Sequence, residues 1–315
     1  MSAISRACRS APRVLLRQCA SRFATVSAPV SASLPVSRLS RRTYATALDT
    51  ANLLKKSGSQ GAYKAIPKRF WESANVQTTE DGHQINLGTR PVKTSSGNPL
   101  VVPHNKTALA HLIVQEWATL PNLQIKPHSL PLTSIAARAI DIQKMPTQAE
   151  VDDVRNAICK ALLPYVDTDT MLIFAPSHEY DGRLRAEQEE RYRPIIEWAE
   201  THLFNGNKLS YMDGDKGLTG NPQTEEIRNL ALEYMLGLSH WELTAFERAV
   251  LGGKSFLGGI KLVRKELTTS ELAELVSLEN IHQMRRWGEV EDSHDVDWAD
   301  LRRQLGSAAV LLITD

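Results

Sequence analysis

Cysteine is scarce in this chain, and long apolar runs are absent from it. Only Cys8, Cys19 and Cys159 occur in 315 residues, and the first two lie in an N-terminal segment of distinct composition. A single cysteine beyond that segment excludes an internal disulfide there, and it excludes a zinc site built from several thiolates. No run reaches the roughly 18 consecutive apolar residues that a membrane-spanning helix requires. The sequence therefore predicts a protein without a membrane span or a disulfide framework.

Acidic residues are missing from the first 44 positions, which also lack lysine. These positions carry many serines and alanines, together with eight arginines at 6, 9, 13, 17, 22, 38, 41 and 42. Such a composition is typical of a mitochondrial transit peptide. We therefore predict a transit peptide over residues 1–44, cleaved after Tyr44, then a flexible leader over 45–66. The mature product would be a mitochondrial matrix protein.

Positive charge is also in short supply once residues 1–44 are removed. The whole chain has 37 lysines and arginines against 36 acids, and without the eight N-terminal arginines 29 cations face the same 36 acids, a formal charge of −7. Nucleic-acid binding draws much of its affinity from cations that neutralise phosphates. The acidic mature chain therefore argues against a nucleic-acid-binding protein.

Strand patterns cover the first part of the mature chain. Ile85 and Leu87 alternate with polar residues in "HQINLG", "RPVKT" comes next, and "SSGNP" is typical of a turn before "LVVP". A helix capped by Asn105 is predicted after these strands. Its apolar face would be formed by Leu109, Leu112, Ile113 and Leu120. These patterns predict a small β-rich domain with one helix over residues 67–130.

Helical periodicity dominates from Pro131 onwards. Capping residues coincide with the start of an apolar stripe at Thr147 with Glu150, Asn221-Pro222, Ser239 with Glu242, and Thr268 with Glu271. The last of these helices is predicted to run to about Arg286. The charged stretch 181–193 indicates a solvated helix face stabilised by ion pairs four residues apart. The predicted fold class is α+β, with a small antiparallel β-rich N-terminal domain and a larger, mainly α-helical domain over residues 131–315.

Catalytic motifs are also lacking. "GGKS" resembles the end of a phosphate-binding loop, but Arg248 stands where that loop needs its first glycine. Ser293, His294 and Asp295 are adjacent in sequence, whereas the members of a catalytic triad converge from separate elements. Cys159 lies on a predicted apolar helix and is interpreted as a buried, unreactive thiol.

One acidic stretch, "RRWGEVEDSHDVDW" at 285–298, allows three interpretations from its residues alone. The carboxylates and His294 could serve a metal site or acid–base chemistry, although the glycine-punctuated loop of a calcium hand is missing. The acids could belong to a solvated helix start, where negative charge is favourable against the helix dipole. They could also form a partner-binding face that meets cations on another protein.

Several separated motifs resemble one known family. "INLGTRPVKT", "QEW", "LTSIAARAID", "LLPYVDTDT", "RPIIEWAE" and "RRWGEVEDSHD" occur in the order and spacing of the mitochondrial ATP synthase assembly factor 2 family, over about residues 69–312. The resemblance implies a matrix chaperone, without catalytic activity or cofactor, that holds unassembled α-subunit of the ATP synthase until β-subunit replaces it. Such a chaperone covers an assembly surface that otherwise aggregates.

Carried over residue by residue, the resemblance places partner-binding candidates in two motifs. The tryptophan of the family's Glu-Trp motif corresponds to Trp117, and the acid of its Trp-Gly-x-x-Glu motif corresponds to Glu291. The neighbouring Trp287, Glu289 and Asp295 complete the set of candidates for the face that holds α-subunit.

Other motif positions are expected to be structural, and some depart from the family. Asp167 and Asp169 of the Asp-Thr-Asp-Thr motif are expected to close a turn. Gly88, Tyr192 and His282 stand where the family often has Asp, Trp and Tyr, and "SFLGGIKL" is richer in glycine than the usual helix. None of these departures touches the Trp-Gly-x-x-Glu motif.

The leading hypothesis is therefore an assembly chaperone, expected to be a monomer, whose acidic stretch forms part of the surface that holds α-subunit. The alternative is a matrix hydrolase that uses the carboxylates and His294 of residues 289–297, with or without a metal. In a third possibility, the stretch is only a solvated helix start and an apolar groove elsewhere holds the client.

Overall fold

The computed structural model of the protein describes residues 69–123, 125, 128–217 and 222–315. The predicted transit peptide and leader, residues 1–44 and 45–66, lie outside the described residues and stay predictions. Within the described part of the chain, no helix is both long enough and apolar enough to cross a membrane.

A small antiparallel sheet opens the described chain. Its strands are β1 (Ala74–Thr79), β2 (Gly82–Leu87), β3 (Arg90–Pro91) and β4 (Val101–Val102). The central strand is β2, which pairs with each of the other three. Ile85 and Leu87 are buried, as their alternation predicted. Gly88, directly after β2, adopts a φ of +61°, a conformation that glycine takes without strain.

Helices make up most of the chain beyond this sheet. Those in the described residues are α1 (Thr107–Thr119), α2 (Pro131–Gln143), α3 (Gln148–Leu162), α4 (Arg183–His202), α5 (Glu225–Gly237), α6 (His240–Gly253), α7 (Phe256–Val263), α8 (Thr269–Val276), α9 (Leu278–Trp287) and α10 (His294–Leu311). Two short strands, β5 (Ile173–Phe174) and β6 (Met212–Asp213), pair in parallel between them. A β-rich start followed by a mainly helical chain confirms the predicted α+β class.

Predicted capping residues begin three of these helices. The Thr147 hydroxyl accepts the Glu150 N–H at the start of α3. Ser239 and Thr268 form complete capping boxes at α6 and α8, in which the glutamate three residues on accepts the backbone N–H of the capping residue. Each cap satisfies backbone N–H groups that a helix leaves without partners in its first turn.

The prediction that Asn105 caps α1 is wrong, because this helix start depends on the other end of the chain. The Thr107 N–H donates to the Asp315 carboxylate at 3.0 Å instead. The buried Lys106 ammonium donates to the Leu311 carbonyl at 2.7 Å. That carbonyl lies in the last turn of α10, where helical carbonyl groups lack partners within the helix. Hydrogen bonds therefore join the start of α1 to the end of α10 and satisfy backbone groups of both helices.

Two other predicted helix boundaries are also wrong. Thr224 caps α5, so this helix begins later than the predicted start at Asn221-Pro222. The single helix predicted after Thr268 is two helices, α8 and α9, which meet at Ser277. Leu112, which was predicted to lie on the buried face of α1, is exposed.

Close packing explains the glycine-rich sequence of α7. A Cβ atom on Gly258 would lie 2.5 Å from the Leu272 side chain, and one on Gly259 would lie 2.7 Å from the Val250 side chain. Both distances are shorter than real Cβ atoms show. The two glycines therefore allow α7 to approach α8 and α6 closely, and larger residues would push these helices apart.

The buried apolar side chains of the described residues form a cluster that extends from the sheet to α10. Its members include Ile85 of β2, Ile135 of α2, Phe246 of α6 and Leu305 of α10. The division into a β-rich and a helical domain near residue 130 stays a prediction.

Candidate partner-binding site

The connection between α9 and α10 carries the acidic stretch on the protein surface. Helix α9 ends at Trp287 and is followed by Gly288, whose φ of +90° is readily adopted by glycine. Helix α10 then begins at His294, with Asp295 and Asp297 in its first turn. Negative charge at this position is favourable against the helix dipole. We call residues Trp287–Asp297 the α9–α10 surface.

Apolar side chains on the α9–α10 surface are unusually exposed. Trp287, Val290 and Val296 are 69%, 60% and 56% exposed, and they are three of the four most exposed large apolar side chains among the described residues. Contact between apolar area and water is unfavourable by about 25 cal/mol per Å². Exposed apolar groups gathered in one place commonly mark an interaction surface.

The carboxylates of the same surface have no cationic partners within the described residues. Glu289, Glu291, Asp292, Asp295 and Asp297 are all exposed, and none of them forms an ion pair there. Uncompensated like charges so close together create a negative potential that attracts cations. The α9–α10 surface thus combines exposed apolar groups with unpaired negative charge.

Trp287 packs beside a strained loop that precedes α4. The rings of Tyr180 and Trp287 meet edge to face with centroids 5.8 Å apart, and the Arg286 guanidinium lies 5.7 Å from the Tyr180 centroid. Tyr180 and Asp181 adopt φ values of +50° and +55°. Such a conformation costs roughly 1 kcal/mol or more in a residue other than glycine. Tyr180 is therefore part of the site, although no sequence pattern associates it with Trp287.

Two residues that depart from the family pattern fix α8 and α9 against α4. His282 Nε2 lies 2.8 Å from the Glu187 carboxylate, which Arg285 also contacts at 3.4 Å. Burial acts to raise the pKa of Glu187, but the hydrogen bonds and charges of its partners outweigh burial and hold the pKa below its ordinary value. The buried Tyr192 hydroxyl donates to the Leu275 carbonyl at 2.8 Å.

His294, the histidine of the acidic stretch, stabilises the turn between α9 and α10. His294 Nδ1 accepts the Val290 N–H at 3.0 Å. Neither the Ser293 hydroxyl nor the Asp295 carboxylate bonds to the His294 ring. In the described residues, no group of three or more His, Cys, Asp or Glu side chains is arranged to hold a metal. Cys159 is buried, and burial raises its pKa, as expected of an unreactive thiol.

Trp117, the other predicted partner-binding residue, lies on a different helix. It is half-buried in α1, which packs against the sheet and α2. Its indole N–H donates to the Thr133 hydroxyl at 3.1 Å, and its carbonyl accepts the Trp71 indole N–H at 3.3 Å. Glu116 accepts the N–H groups of Leu132 and Thr133 in the first turn of α2. The Glu-Trp motif therefore joins α1 to α2, and partner binding by Trp117 stays a prediction.

The Asp-Thr-Asp-Thr motif has the structural role that was predicted. The buried Asp169 carboxylate accepts the Ser255 hydroxyl at 2.7 Å, the Leu257 N–H at 2.7 Å and the Met171 N–H at 2.8 Å. Burial raises the pKa of Asp169 to about 6, although these donors act to lower it. Ser255, the last residue of "GGKS", is thus a structural residue that joins this turn to α7.

Comparison with known proteins identifies the family to which this chain belongs. Residues 68–200 match the family model described as ATP12 chaperone protein. Protein ATP12, mitochondrial, of Saccharomyces cerevisiae is 39% identical over 269 residues, which cover 77% of this chain and 83% of the yeast protein. The chain belongs to the ATP12 chaperone family.

Further ATP12 proteins show the same likeness. Protein atp12, mitochondrial, of Schizosaccharomyces pombe is 37% identical over 244 residues, covering 78% of this chain and 81% of that protein. The crystal structure of Atp12 from Paracoccus denitrificans has a TM-score of 0.61 at 24% identity, over 78% of this chain and 97% of that one, and this likeness shows the fold alone. Membership in the ATP12 family confirms the family predicted from the motifs and supports a chaperone role in mitochondrial ATP synthase assembly.

Proposed function

We propose that this ATP12 family chain is an assembly chaperone that binds unassembled α-subunit of the mitochondrial ATP synthase in the matrix. It acts as a monomer, by binding rather than by catalysis, and it releases α-subunit when β-subunit takes its place. Family membership, the mitochondrial names of the two yeast relatives and the arginine-rich composition of residues 1–44 support this proposal.

The composition of the α9–α10 surface is the observation that carries the proposal. Trp287 is its largest exposed apolar group and supplies an anchor of the kind that dominates binding energy at interfaces. Glu291 lies between Glu289 and Asp295 in the turn and the first residues of α10. Charges in this setting orient a partner and speed its association more than they add affinity. The complementary surface on α-subunit is therefore apolar with cations at its border.

A cleft beside this surface suits one side chain of such a partner. It has a volume of about 290 Å³, and its lining includes Met284, His294, Asp297 and Trp298. Arginine and lysine combine an apolar stem with a cationic head. A client arginine or lysine matches this lining, because the stem can pack on Met284 and Trp298 while the head meets Asp297.

Co-elution of the chain without residues 1–44 with isolated α-subunit tests the proposal, with β-subunit as the control. We expect the chain to keep α-subunit in solution and to co-elute with it, and to retain no β-subunit. A folded chain that retains neither subunit would reject α-subunit as the client.

A pair of charge reversals tests the surface itself. Glu291→Lys should weaken retention of α-subunit, because it places a cation where the partner's cations are expected. Glu233→Lys makes the same change at an exposed position on α5 and should leave retention unaltered. Equal loss of binding in the two variants would remove the α9–α10 surface from the proposal. Thermal unfolding of Glu291→Lys at a clearly lower temperature than Glu233→Lys would assign Glu291 a structural role.

A further inference from the structure

A second cleft lies where α2, α6 and α10 meet, and the proposed chaperone function does not use it. Its volume is about 380 Å³, within the range of small-ligand sites. Ser134 of α2, Arg248 of α6 and Arg303 of α10 contribute to its lining, together with the exposed His128. Two arginines and a histidine thus line one cleft, although the residues beyond position 44 carry a formal charge of −7.

Arg248 has two neighbouring cations, Arg138 and Arg303. Of these three arginines, Arg248 is the one whose charge no described carboxylate compensates. Arg138 pairs with Glu247 at 2.5 Å, and Arg303 pairs with Asp300. Within the described residues, no carboxylate or carbonyl group accepts a hydrogen bond from the Arg248 guanidinium. Three guanidinium groups and two carboxylates leave one positive charge in excess. That charge is located on Arg248.

The position of Arg248 is unfavourable while the cleft holds no anion. Burial is the main cause that lowers its pKa from the ordinary value, and the charges of Arg138 and Arg303 lower it further against the opposing effect of Glu247 and Asp300. Arginine nevertheless stays protonated at neutral pH. A partly buried charge without a partner costs free energy, and an apolar side chain in its place would not. An anion that enters the cleft would remove this cost.

We propose that this cleft binds a small oxyanion, a phosphate or a carboxylate group, through the guanidinium of Arg248. The planar fork of N–H groups on arginine matches two oxygens of either group. The hydroxyl of Ser134 and the imidazole of His128 line the same cleft and can donate to further oxygens. Asp300 also lines it, but its carboxylate accepts hydrogen bonds from Arg303 and Gln304. The neighbouring negative charge is thus already neutralised.

Titration of the full chain with inorganic phosphate, at an ionic strength held constant with sodium chloride, tests this inference. The unfolding temperature of the wild type should rise with phosphate, and calorimetry should give one binding site. Arg248→Gln should bind phosphate more weakly by roughly tenfold or more, because it loses charge-assisted hydrogen bonds. Without phosphate, this variant should unfold at the wild-type temperature or above it. Arg302→Gln removes the same charge from an exposed position on α10 and should keep the wild-type affinity.

Two results would overturn the inference. One is a wild type that neither phosphate nor succinate stabilises more than chloride does, and the other is an unchanged affinity for both anions in Arg248→Gln. If Arg248→Gln does not fold, Arg248→Lys decides, because it keeps the charge but loses the planar fork. Its affinity should fall several-fold, and an unchanged value would also overturn the inference.

A parallel titration with succinate distinguishes the two sources of the oxyanion. Tighter binding of succinate than of phosphate would assign the cleft to carboxylates, including an acidic side chain of another protein. Tighter binding of phosphate would assign it to phosphate groups. Neither titration requires α-subunit, so its result is independent of the proposed client.

Discussion

Helix α4 and the α9–α10 surface are both crowded with charged residues, but their charges have different surroundings. In α4, Glu189 pairs with Arg185 and Arg193 one turn away, and Glu187 pairs with Arg191. On the α9–α10 surface, five carboxylates have no ion-pair partner among the described residues. Charge density in a sequence therefore does not separate a structural helix from an interaction surface. Pairing within the fold separates them, because paired charges are already neutralised and unpaired ones can attract a partner.

Aromatic residues show the same division. The guanidinium groups of Arg185 and Arg193 lie 5.0 and 4.9 Å from the ring centroid of the buried Phe174. Such cation–π contacts hold the cationic face of α4 against the interior. Trp287, by contrast, leaves most of its ring in water. The charged groups of α4 and the aromatic ring that they contact stabilise the fold, whereas the charged and aromatic groups of the α9–α10 surface remain available to bind a partner.

The largest effect is expected where a buried carboxylate with several partners is compared with an exposed, unpaired one. Asp169→Ala should lower the free energy of unfolding by about 3–5 kcal/mol, because the Ser255 hydroxyl and two backbone N–H groups lose their buried acceptor. Asp297→Ala should change it by less than about 0.5 kcal/mol. Chemical denaturation of both variants measures the difference. Equal losses would show that burial and pairing do not distinguish the two carboxylates.

The parts of the fold that could be predicted from the sequence are those that depend on contacts between residues close in sequence. Ser239 and Thr268 begin their helices through contacts with residues three positions away, so local patterns suffice. The start of α1 instead depends on Asp315, and a contact between residues 208 positions apart leaves no mark in either local pattern. The role of the glycines in α7 could not be predicted from local patterns either, because it depends on the side chains of neighbouring helices.

The candidate site likewise contains residues that the sequence could group and residues that only the folded chain brings together. Trp287, Glu289, Glu291 and Asp295 lie in one continuous stretch, so the sequence alone could group them. Val290 and Val296 were missed, although both stand among acidic residues in the sequence. Their exposure makes them part of the surface. Tyr180 could not be found, because it meets Trp287 only in the folded chain. Whether these residues bind a partner stays a prediction.

Trp287→Ala tests whether the exposed ring on the α9–α10 surface is a binding anchor. We expect it to weaken binding of α-subunit by about 2 kcal/mol, roughly 30-fold in Kd, because a tryptophan at the centre of an interface contributes strongly. The free energy of unfolding should change by less than about 1 kcal/mol, since most of the ring is already in water. Titration calorimetry and chemical denaturation measure the two quantities.

Phe70→Ala is the matched control for this prediction, because Phe70 is also an exposed aromatic residue but lies before β1. Its removal should leave the Kd for α-subunit unchanged. If Phe70→Ala weakens binding as much as Trp287→Ala does, the comparison between regions fails and the client contacts the chain over a much wider area.

Glu187→Gln tests the contribution of paired charge on α4. It should lower the free energy of unfolding at neutral pH by about 1–2 kcal/mol, because His282, Arg191 and Arg285 lose a shared carboxylate that is only partly screened by water. The pKa of Glu187 is lower in the folded chain than its ordinary value. Its stabilising effect is therefore fully present above the ordinary pKa, and it is lost as the pH falls through the folded value. The difference between wild type and variant should shrink as the pH falls below the ordinary pKa of glutamate, and a difference that persists through that range would contradict the pairing.

The smallest effect is expected when one unpaired charge is neutralised on each region. Glu289→Gln should slow association with α-subunit about two-fold and reduce its dependence on salt, while the dissociation rate changes little, because an exposed charge acts mainly on encounter. Glu190→Gln makes the same change at an exposed position on α4 and should alter neither rate. Stopped-flow kinetics at two salt concentrations measures both variants. Equal slowing would mean that the net negative charge of the whole chain attracts α-subunit, and the α9–α10 surface would then keep only its apolar contribution to binding.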